Sequence, residues 1–537
     1  MKQSNQIQIY DTTLRDGNQA LGISLSVSDK LRIAERLSDL GIHYIEGGWP
    51  NPSNTADVDF FKRVKKLRLA SKIAVFGSTR RPRYTCATDP YLRMLLKSGA
   101  PVAAVFGKSW DLHVKKVLAV SLEQNLDLIR DTVSYLARRM DEVVYDAEHF
   151  FDGYRHNKSY AMSTLVAAQE AGADVIVLCD TNGGTLPDEF VDIWRAVKHS
   201  MRCALGVHTH NDAGCADANS ILAVCEGAVQ VQGTMNGIGE RCGNANLCTI
   251  IPDLQLKRGC AVLSPAALAQ LTEASVFVSE VANVAHNMRQ PYVGECAFTH
   301  KAGAHADGVR KAEESFEHVK PQSVGNARQF VVSSQAGLST ILQKLSPMQP
   351  GLGKHDPLVK QLLAKIKELE GDGYQFEAAD ASFELIAQEM LGRFAETFEF
   401  KGFRVIEEKR ESGDVFSEAT IKLRKDGVYE HTAAEGDGPV NALDNALRKA
   451  LVKFYPNLSE VKLEDFKVRV LDGREGTAAK VRVLIESSDG RDRWGTVGVS
   501  TNVIEAAWLA LIDSLKYKLM KDGLKRPQHQ KRGAARA

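Results

Sequence analysis

The first 260 or so residues alternate between short apolar runs and longer amphipathic segments. Apolar runs of this length are typical of parallel strands that are covered on both faces. The segments between them space their apolar residues three and four apart, which predicts helices. Eight strands are predicted, at Ile7–Tyr10, Tyr44–Glu46, Ile73–Phe76, Val102–Phe106, Val143–Tyr145, Val175–Cys179, Leu205–His208 and Val229–Gln232.

Eight strand–helix units in succession predict a closed (β/α)8 TIM barrel. The alternative is a doubly wound open sheet, which usually needs fewer units. Helix boundaries are marked as well: Ser28 is the predicted cap of a helix that runs to Leu40, and Gly41 is its stop. Three further helices are predicted to end at Gly99, Gly172 and Gly227.

The pattern changes twice after the eighth unit. Ser264 to Glu370 is mainly helical, with a loop-rich interruption at Pro291–Gly308. From Phe398 onward, strands precede each of two helices, Pro439–Phe454 and Asn502–Met520, so this region is predicted to be a weakly duplicated α+β unit. Such a unit could sense a ligand or hold two subunits together. Its predicted strands are Glu399–Lys409, Ala419–Leu423, Lys467–Val470, Lys480–Ile485 and Trp494–Val499.

Composition and charge narrow the classes of partner. The 537 residues are 44% hydrophobic and 25% charged, an ordinary globular mixture, and the formal net charge is +1. We therefore expect neither nucleic acid nor a membrane as a partner. The start lacks the apolar core of a signal peptide, and the nine cysteines form no CxxC pair. We expect a cytoplasmic protein with reduced, mostly buried thiols.

Two histidines give the sharpest chemical signal. In a TIM barrel, functional residues gather at the carboxyl ends of the strands, and His208 and His210 end the seventh strand. Residues two apart on a strand point the same way, so both imidazoles can reach one metal ion, with an aspartate such as Asp16 near the same rim. The alternative is a pair of core histidines bonded to the backbone.

Other polar residues at the strand ends are less specific. Arg15, beside Asp16, can neutralise negative charge that develops on an oxygen, or it can simply balance Asp16 as a salt bridge. Glu148, after the fifth strand, can be a base, an orienting carboxylate or a member of an ion pair. The glycines of Gly237–Gly243 allow a tight backbone near a ligand.

Several motifs together resemble the DRE-TIM metallolyases, which include 2-isopropylmalate synthases, homocitrate synthases and hydroxymethylglutaryl-CoA lyases. These motifs are Asp11–Gly17, His208–Asp212 and Gly239–Asn244. The C-terminal region is similar to the regulatory dimerisation domain of some members, through Asp437–Ala442 and Asp472–Gly476. The branch that makes citramalate is the most similar, at Glu46–Pro50, Phe106–Val114 and Phe298–Gly308.

The resemblance implies condensation of acetyl-CoA with pyruvate and hydrolysis of the thioester to (R)-citramalate and CoA, in threonine-independent isoleucine biosynthesis. It implies one divalent ion (Mn, Mg, Zn or Co), a homodimer and feedback by isoleucine. Arg15 would stabilise the oxyanion, Thr181 would bind the substrate carboxylate, Glu148 would orient the centre, and His305 would be the base or its relay, often over a partner's site. The implied metal ligands are Asp16, His208, His210 and Asn244.

The same resemblance divides the chain into four parts. They are a catalytic barrel at 5–270, a helical linker and active-site cap at 271–375, a regulatory and dimerisation domain at 376–522, and a basic, disordered tail at 523–537. One position departs from the family, which commonly has a Tyr about ten residues after the cap histidine. Here Phe316 is the nearest aromatic residue, so His318, Ser315 or water replaces that Tyr, or it is dispensable.

Three other functions remain open from the sequence. A 2-isopropylmalate or homocitrate synthase would differ only in the pocket for the oxo-acid side chain, where bulky Trp49 and Phe106 favour the methyl group of pyruvate. An acyl-CoA lyase usually lacks the C-terminal module. A catalytically inactive amino-acid sensor is disfavoured, because the chain keeps the whole set of predicted site residues.

Overall fold

The computed structural model describes residues 6–331, 337–394, 397–409, 411, 413–471, 476 and 478–525. The chain forms two compact units. The first comprises the described residues up to Phe298 together with Glu317–Arg328, and the second comprises Thr299–Phe316 and the described residues from Gln329 onward. The predicted boundaries at 270, 375 and 522 remain predictions.

The first unit is a closed barrel of eight parallel strands in sequential order, as predicted. The barrel closes where β8 pairs with β1, with Val231 beside Ile9. This closure excludes the open sheet. The strands are β1 (Gln8–Asp11), β2 (Tyr44–Gly48), β3 (Lys72–Ser78), β4 (Val102–Lys108), β5 (Glu142–Glu148), β6 (Val175–Asp180), β7 (Ala204–Thr209) and β8 (Gln230–Gly233).

Helices of the first unit surround the barrel. The first helix begins two residues earlier than predicted, because Ser26 and not Ser28 is its cap. Ser26 Oγ accepts from the Asp29 N–H, and the Asp29 carboxylate accepts from the Ser26 N–H. The helices are α1 (Val27–Asp39), α2 (Thr55–Val64), α3 (Pro90–Ser98), α4 (Asp111–His113), α5 (Leu122–Ala137), α6 (Phe150–His156), α7 (Lys158–Glu170), α8 (Pro187–Ser200), α9 (Ala216–Cys225), α10 (Leu247–Pro252), α11 (Pro265–Leu268) and α12 (Leu271–Val281).

The inside of the barrel is filled mainly by apolar side chains. Tyr44, Ala74, Val102, Val144 and Val177 belong to one buried interior cluster, and a larger apolar cluster lies between the strands and the helices. A barrel interior packed with side chains is usual for this fold. Chemistry is thereby confined to the rim where the strands end.

The second unit contains the predicted duplication, and each half has three antiparallel strands followed by a helix. One strand, Val428–Gly436, was not predicted. The segment Pro291–Gly308, predicted to be rich in loops, also contains a short strand and the start of a helix. The elements are β9 (Thr299–His300), α13 (Gly303–Lys311), β10 (Gln329–Phe330), α14 (Leu338–Leu345), α15 (Pro357–Gly371), α16 (Asp380–Met390), β11 (Glu399–Lys409), β12 (Val415–Lys425), β13 (Val428–Gly436), α17 (Pro439–Leu451), β14 (Lys462–Val470), β15 (Val481–Ser488), β16 (Arg493–Ser500) and α18 (Val503–Lys525).

Some predictions fall at the edge of what the structure describes. Of the motif Asp472–Gly476, only Gly476 is described. Helix α18 continues to Lys525, so the first three residues of the predicted tail are helical, and 526–537 lie outside the described residues. The prediction of mostly buried thiols is wrong, because only Cys86, Cys179 and Cys248 of the nine unbonded cysteines are buried. No described helix is both long enough and apolar enough to cross a membrane.

Candidate metal centre and active site

Asp16, His208 and His210 meet at the carboxyl end of the barrel. The two Nε2 atoms are 3.3 Å apart, and Asp16 Oδ2 lies 3.5 Å from Nε2 of His208 and 3.8 Å from Nε2 of His210. All three residues are buried, and among the described residues they are the one group of acidic, His and Cys side chains whose ligand atoms converge in this way. The geometry brings together three of the four predicted metal ligands.

The electrostatics of this triad suit a cation. Burial and the neighbouring His210 lower the pKa of His208 to about 3, and burial lowers the pKa of His210. Burial would raise the pKa of Asp16, but Arg15 and the two histidines outweigh it and hold the value at about 2. At neutral pH the triad therefore offers two neutral imidazoles and one carboxylate, which is the protonation state that a metal ion needs.

Asn244 reaches the triad through a tight loop after β8. Its backbone forms a bridge with His210, and its N–H donates to the carbonyl of Gly237 at 3.0 Å. Gly243 has φ = +90°, and a Cβ there would lie 2.0 Å from the Gly237 oxygen, so the loop requires glycine at this position. The tight backbone expected of Gly237–Gly243 is confirmed.

The donor set fits a divalent ion. Oδ1 of Asp16 and Oδ1 of Asn244 are buried and have no hydrogen-bond partner among the described residues, which is costly unless something else satisfies them. Together with the two imidazoles they make a mixed nitrogen and oxygen set, which suits Mn, Mg, Zn or Co. The orphaned oxygens are the observation on which this fit depends.

Arg15 joins the triad to a second buried carboxylate. Its Nη1 donates to Asp16 Oδ2 at 3.0 Å and its Nε donates to Glu46 Oε2 at 2.5 Å, while Glu46 Oε1 accepts from the Tyr10 hydroxyl at 2.9 Å. Burial would lower the pKa of Arg15, but Glu46 and Asp16 raise it above its ordinary value. The guanidinium is therefore held as a cation beside the triad, and it pairs with Glu46 as well as with Asp16.

An aromatic wall adjoins Arg15. The Arg15 guanidinium lies 3.9 Å from the centre of the Phe76 ring, and Phe76 stacks on Phe106 with 5.4 Å between ring centres. The Trp49 ring is nearly perpendicular to both, with 5.8 Å and 5.6 Å between ring centres. These three side chains, Trp49, Phe76 and Phe106, are called the aromatic wall below.

Thr181 and Glu148 lie at the same rim, at the ends of β6 and β5. The Thr181 hydroxyl oxygen accepts from the His149 N–H at 2.9 Å, and the Thr181 carbonyl accepts from Arg241 at 2.7 Å. Glu148 forms an ion pair with Lys108 of the neighbouring strand, and both side chains are partly exposed. No role was predicted for Lys108.

Two contributors were missed by sequence reasoning. Gln232 on β8 forms hydrogen bonds with His208 and with Asp146. Burial and the negative charge of Glu46 raise the pKa of Asp146 to about 8. Arg241 holds Asp212 through two hydrogen bonds of 2.8 Å and 2.9 Å, which ties the loops after β7 and β8 together. The available signal for Gln232 was a pair of glutamines, Gln230 and Gln232, on a short strand that is otherwise buried like its neighbours.

The predicted base, His305, belongs to the second unit. It lies on α13, is exposed, and stacks on Phe316 with 4.3 Å between ring centres. Gly308 of the same helix faces Phe316 as well, since a Cβ there would lie 2.5 Å from the ring. Phe316, the aromatic residue nearest the position where the family has a Tyr, thus contacts His305 directly.

Three family models match consecutive parts of the chain. The HMGL-like model matches residues 6–278, the model of the homocitrate synthase post-HMGL domain matches 292–373, and the model of the LeuA allosteric (dimerisation) domain matches 377–519. The chain belongs to the HMGL-like family. The family resemblance seen in the motifs is confirmed, as is the architecture of a barrel followed by a LeuA-type domain.

Individual relatives place it within that family. The (R)-citramalate synthase of Geobacter sulfurreducens is 55% identical over 96% of this chain and 98% of the relative, and that of Aquifex aeolicus is 53% identical over 97% and 99%. A probable 2-isopropylmalate synthase of Methanopyrus kandleri is 31% identical over 90% and 93%. The similarity to citramalate synthases therefore extends over nearly the whole chain.

Proposed function

We propose that this chain is an acyltransferase that condenses acetyl-CoA with pyruvate and hydrolyses the thioester, releasing (R)-citramalate and CoA. The observation that carries the proposal is the convergence of Asp16, His208 and His210 beside a fixed Arg15, in a chain 55% identical to a citramalate synthase. The product leads to isoleucine by the threonine-independent route, which is the pathway we propose.

Asp16, His208, His210 and Asn244 would hold one divalent ion. Such an ion would act as a Lewis acid toward the keto group of the 2-oxo acid. Arg15 faces the same space and stabilises the negative charge that forms on the keto oxygen when the new carbon–carbon bond is made. Because Glu46 and Asp16 hold two edges of its guanidinium, Arg15 needs no reorganisation during the reaction.

Thr181 is the proposed ligand of the substrate carboxylate, and Glu148 is proposed to orient the catalytic centre. The Thr181 oxygen already accepts from the His149 N–H, so its own hydrogen can be donated to the pyruvate carboxylate. Glu148, held by Lys108, keeps its carboxylate at the rim. His305 remains the proposed base that removes a methyl proton from acetyl-CoA, and this assignment depends on the motif alone.

The aromatic wall supports pyruvate as the preferred oxo acid. Its three rings lie in mutual contact beside Arg15, so an isopropyl or carboxyethyl group there would require them to move. The relative named as a 2-isopropylmalate synthase is 31% identical, far below the citramalate synthases. Both observations favour a small substrate.

Release of free CoA tests the proposed reaction directly. The metal-loaded chain is mixed with acetyl-CoA and pyruvate, 2-oxoisovalerate or 2-oxoglutarate, and thiol release is followed with a chromogenic disulfide. We expect pyruvate to be preferred and (R)-citramalate to be the product, and His208→Ala to abolish both turnover and metal binding. A preference for 2-oxoisovalerate would instead indicate 2-isopropylmalate synthesis, and a preference for 2-oxoglutarate would indicate homocitrate synthesis.

We further propose that the C-terminal module forms a homodimer and mediates feedback by isoleucine in a cytoplasmic enzyme. The match to the LeuA allosteric (dimerisation) domain and the two similar halves of the module support this. Full-length turnover is compared with and without millimolar isoleucine, leucine or valine. Isoleucine should inhibit most. Absence of inhibition by all three would leave the module only a dimerisation role.

A further inference from the structure

The imidazole of His208 can bind an ion through Nε2 only when its ring hydrogen is on Nδ1. A neutral imidazole carries one hydrogen, and the nitrogen without it supplies the lone pair. His208 Nε2 faces the triad, 3.3 Å from Nε2 of His210. Something on the opposite side of the ring must therefore hold the hydrogen at Nδ1, since otherwise part of the population is in the tautomer that cannot bind.

Gln232 provides that partner. Its Oε1 lies 3.0 Å from His208 Nδ1, and an amide oxygen can only accept, so this contact requires Nδ1–H. Gln232 is directly opposite His208 in the pairing of β7 with β8, and it has no exposed surface. His210 differs, because its Nδ1 has no hydrogen-bond partner among the described residues.

Asp146 decides which way the amide of Gln232 points. The two ends of an amide are nearly the same shape, so the contact with His208 alone does not fix the orientation. Gln232 Nε2 donates to Asp146 Oδ1 at 3.1 Å, and a carboxyl group keeps one accepting oxygen whether or not it is protonated, so with the NH2 group toward Asp146 and the carbonyl oxygen toward His208 both contacts are satisfied. All three side chains are buried, which keeps water from replacing either contact.

We propose that Gln232, oriented by Asp146, is a positioning residue that holds His208 in the metal-binding tautomer. The proposal rests on the metal site described under the proposed function. Partners of this kind typically change metal affinity by about 10- to 100-fold when they are removed. Nothing in the similarity to relatives assigns a role to either residue.

Strand β8 offers a matched control. Gln230 lies two residues before Gln232, is equally buried, and donates to Gln8 Oε1 at 3.4 Å, at the start of β1 and therefore at the opposite end of that strand from Asp16. Full-length protein is stripped of metal and titrated with Mn²⁺ alone, by calorimetry and by the electron paramagnetic resonance of free Mn²⁺. We expect Gln232→Met to raise the Kd for Mn²⁺ about 10- to 100-fold. Gln230→Met should change it less than about threefold.

A spectroscopic measurement separates positioning from loss of stability. In protein labelled with ¹⁵N in the histidine rings, metal-free wild type should show His208 with its hydrogen on Nδ1, and Gln232→Met should show a mixture of tautomers. Equal Kd values for the Gln232 and Gln230 variants, or an unchanged tautomer, would overturn the proposal. Undiminished Mn²⁺ binding by His208→Ala would instead contradict the metal site itself.

If Gln232→Met does not fold, two variants of Asp146 decide. Asp146→Asn can keep an oxygen toward Gln232 Nε2 and should bind Mn²⁺ nearly as wild type does. Asp146→Ala leaves the amide without its anchor and should bind Mn²⁺ more weakly. Identical affinities in these two variants would overturn the role of Asp146 in orienting Gln232.

Discussion

Replacing Arg15 by lysine tests the central catalytic assignment with a change that keeps the charge. The guanidinium uses two separate edges, with Nε on Glu46 at 2.5 Å and Nη1 on Asp16 at 3.0 Å. A lysine ammonium is a single point on a flexible stem, so it cannot hold both carboxylates in the same geometry. Glu46 has no exposed surface, and it would keep the Tyr10 hydroxyl while losing its cation.

The expected loss can be worked from these contacts. Arg15→Lys removes at least one charge-assisted hydrogen bond, which contributes about 1.5–3 kcal/mol. If that contact is what orients the cation toward the developing oxyanion, the same free energy appears in the barrier, as roughly a 10- to 150-fold fall in kcat. KM for pyruvate should change much less, because the oxyanion exists only in the transition state.

The assay is thiol release at saturating acetyl-CoA over a range of pyruvate concentrations, with metal content measured for each sample. Arg195→Lys is the control, since Arg195 also makes two charge-assisted hydrogen bonds, in its case both to Glu226, but on the exposed surface of the barrel. It should leave kcat unchanged. An unchanged kcat in Arg15→Lys, with metal bound normally, would reduce Arg15 to a structural salt bridge.

Three further outcomes are expected. Phe106→Ala opens the aromatic wall and should raise kcat/KM for 2-oxoisovalerate relative to pyruvate by about 10-fold or more, measured as a ratio in one preparation. Lys518→Met removes a buried ammonium that pairs with Asp489 at 2.9 Å. Because Lys521 still pairs with Asp489 at 3.2 Å, the variant should lower the free energy of unfolding in urea by about 1.5–3 kcal/mol. Burial would raise the pKa of Asp489, but backbone donors and Lys518 outweigh it and hold that pKa below its ordinary value. The contribution of Asp489 to the free energy of unfolding is therefore complete above about pH 4 and is lost as the pH falls. In urea titrations at stepped pH, Asp489→Asn should lose less of this free energy on acidification than wild type does.

The barrel was predictable because its strands are buried on both faces. A strand such as Val102–Lys108 is almost wholly apolar, and a long apolar run between helices has few other structures available to it. The same argument fails for β13, Val428–Gly436. That strand is half-exposed and carries Glu430, His431 and Glu435, so its sequence lacks a clear alternation of apolar and polar residues.

The metal ligands were predictable from local spacing, whereas their supports were not. His208 and His210 are two apart on one strand, so their common direction follows from the period of a strand alone. The contact of Gln232 with His208 joins positions 24 residues apart, and that of Arg15 with Glu46 joins positions 31 apart. Both depend on which residues come opposite each other when the barrel closes, and that register is a property of the whole fold.

The place of β8 in the closed barrel explains why it contributes a support and not a ligand. It pairs with β1, which leads to Asp16, and with β7, which carries His208. A side chain on β8 that faces the interior therefore lies below the triad, within reach of the inner nitrogen of His208 but on the far side of the ring from Nε2. An acceptor there fixes the hydrogen on Nδ1, whereas a donor there would bond to the lone pair of Nδ1 and so leave the hydrogen on Nε2. Glutamine satisfies this requirement only if its amide has a fixed direction, and an accepting oxygen of the Asp146 carboxyl group, which is contributed by β5, supplies that direction.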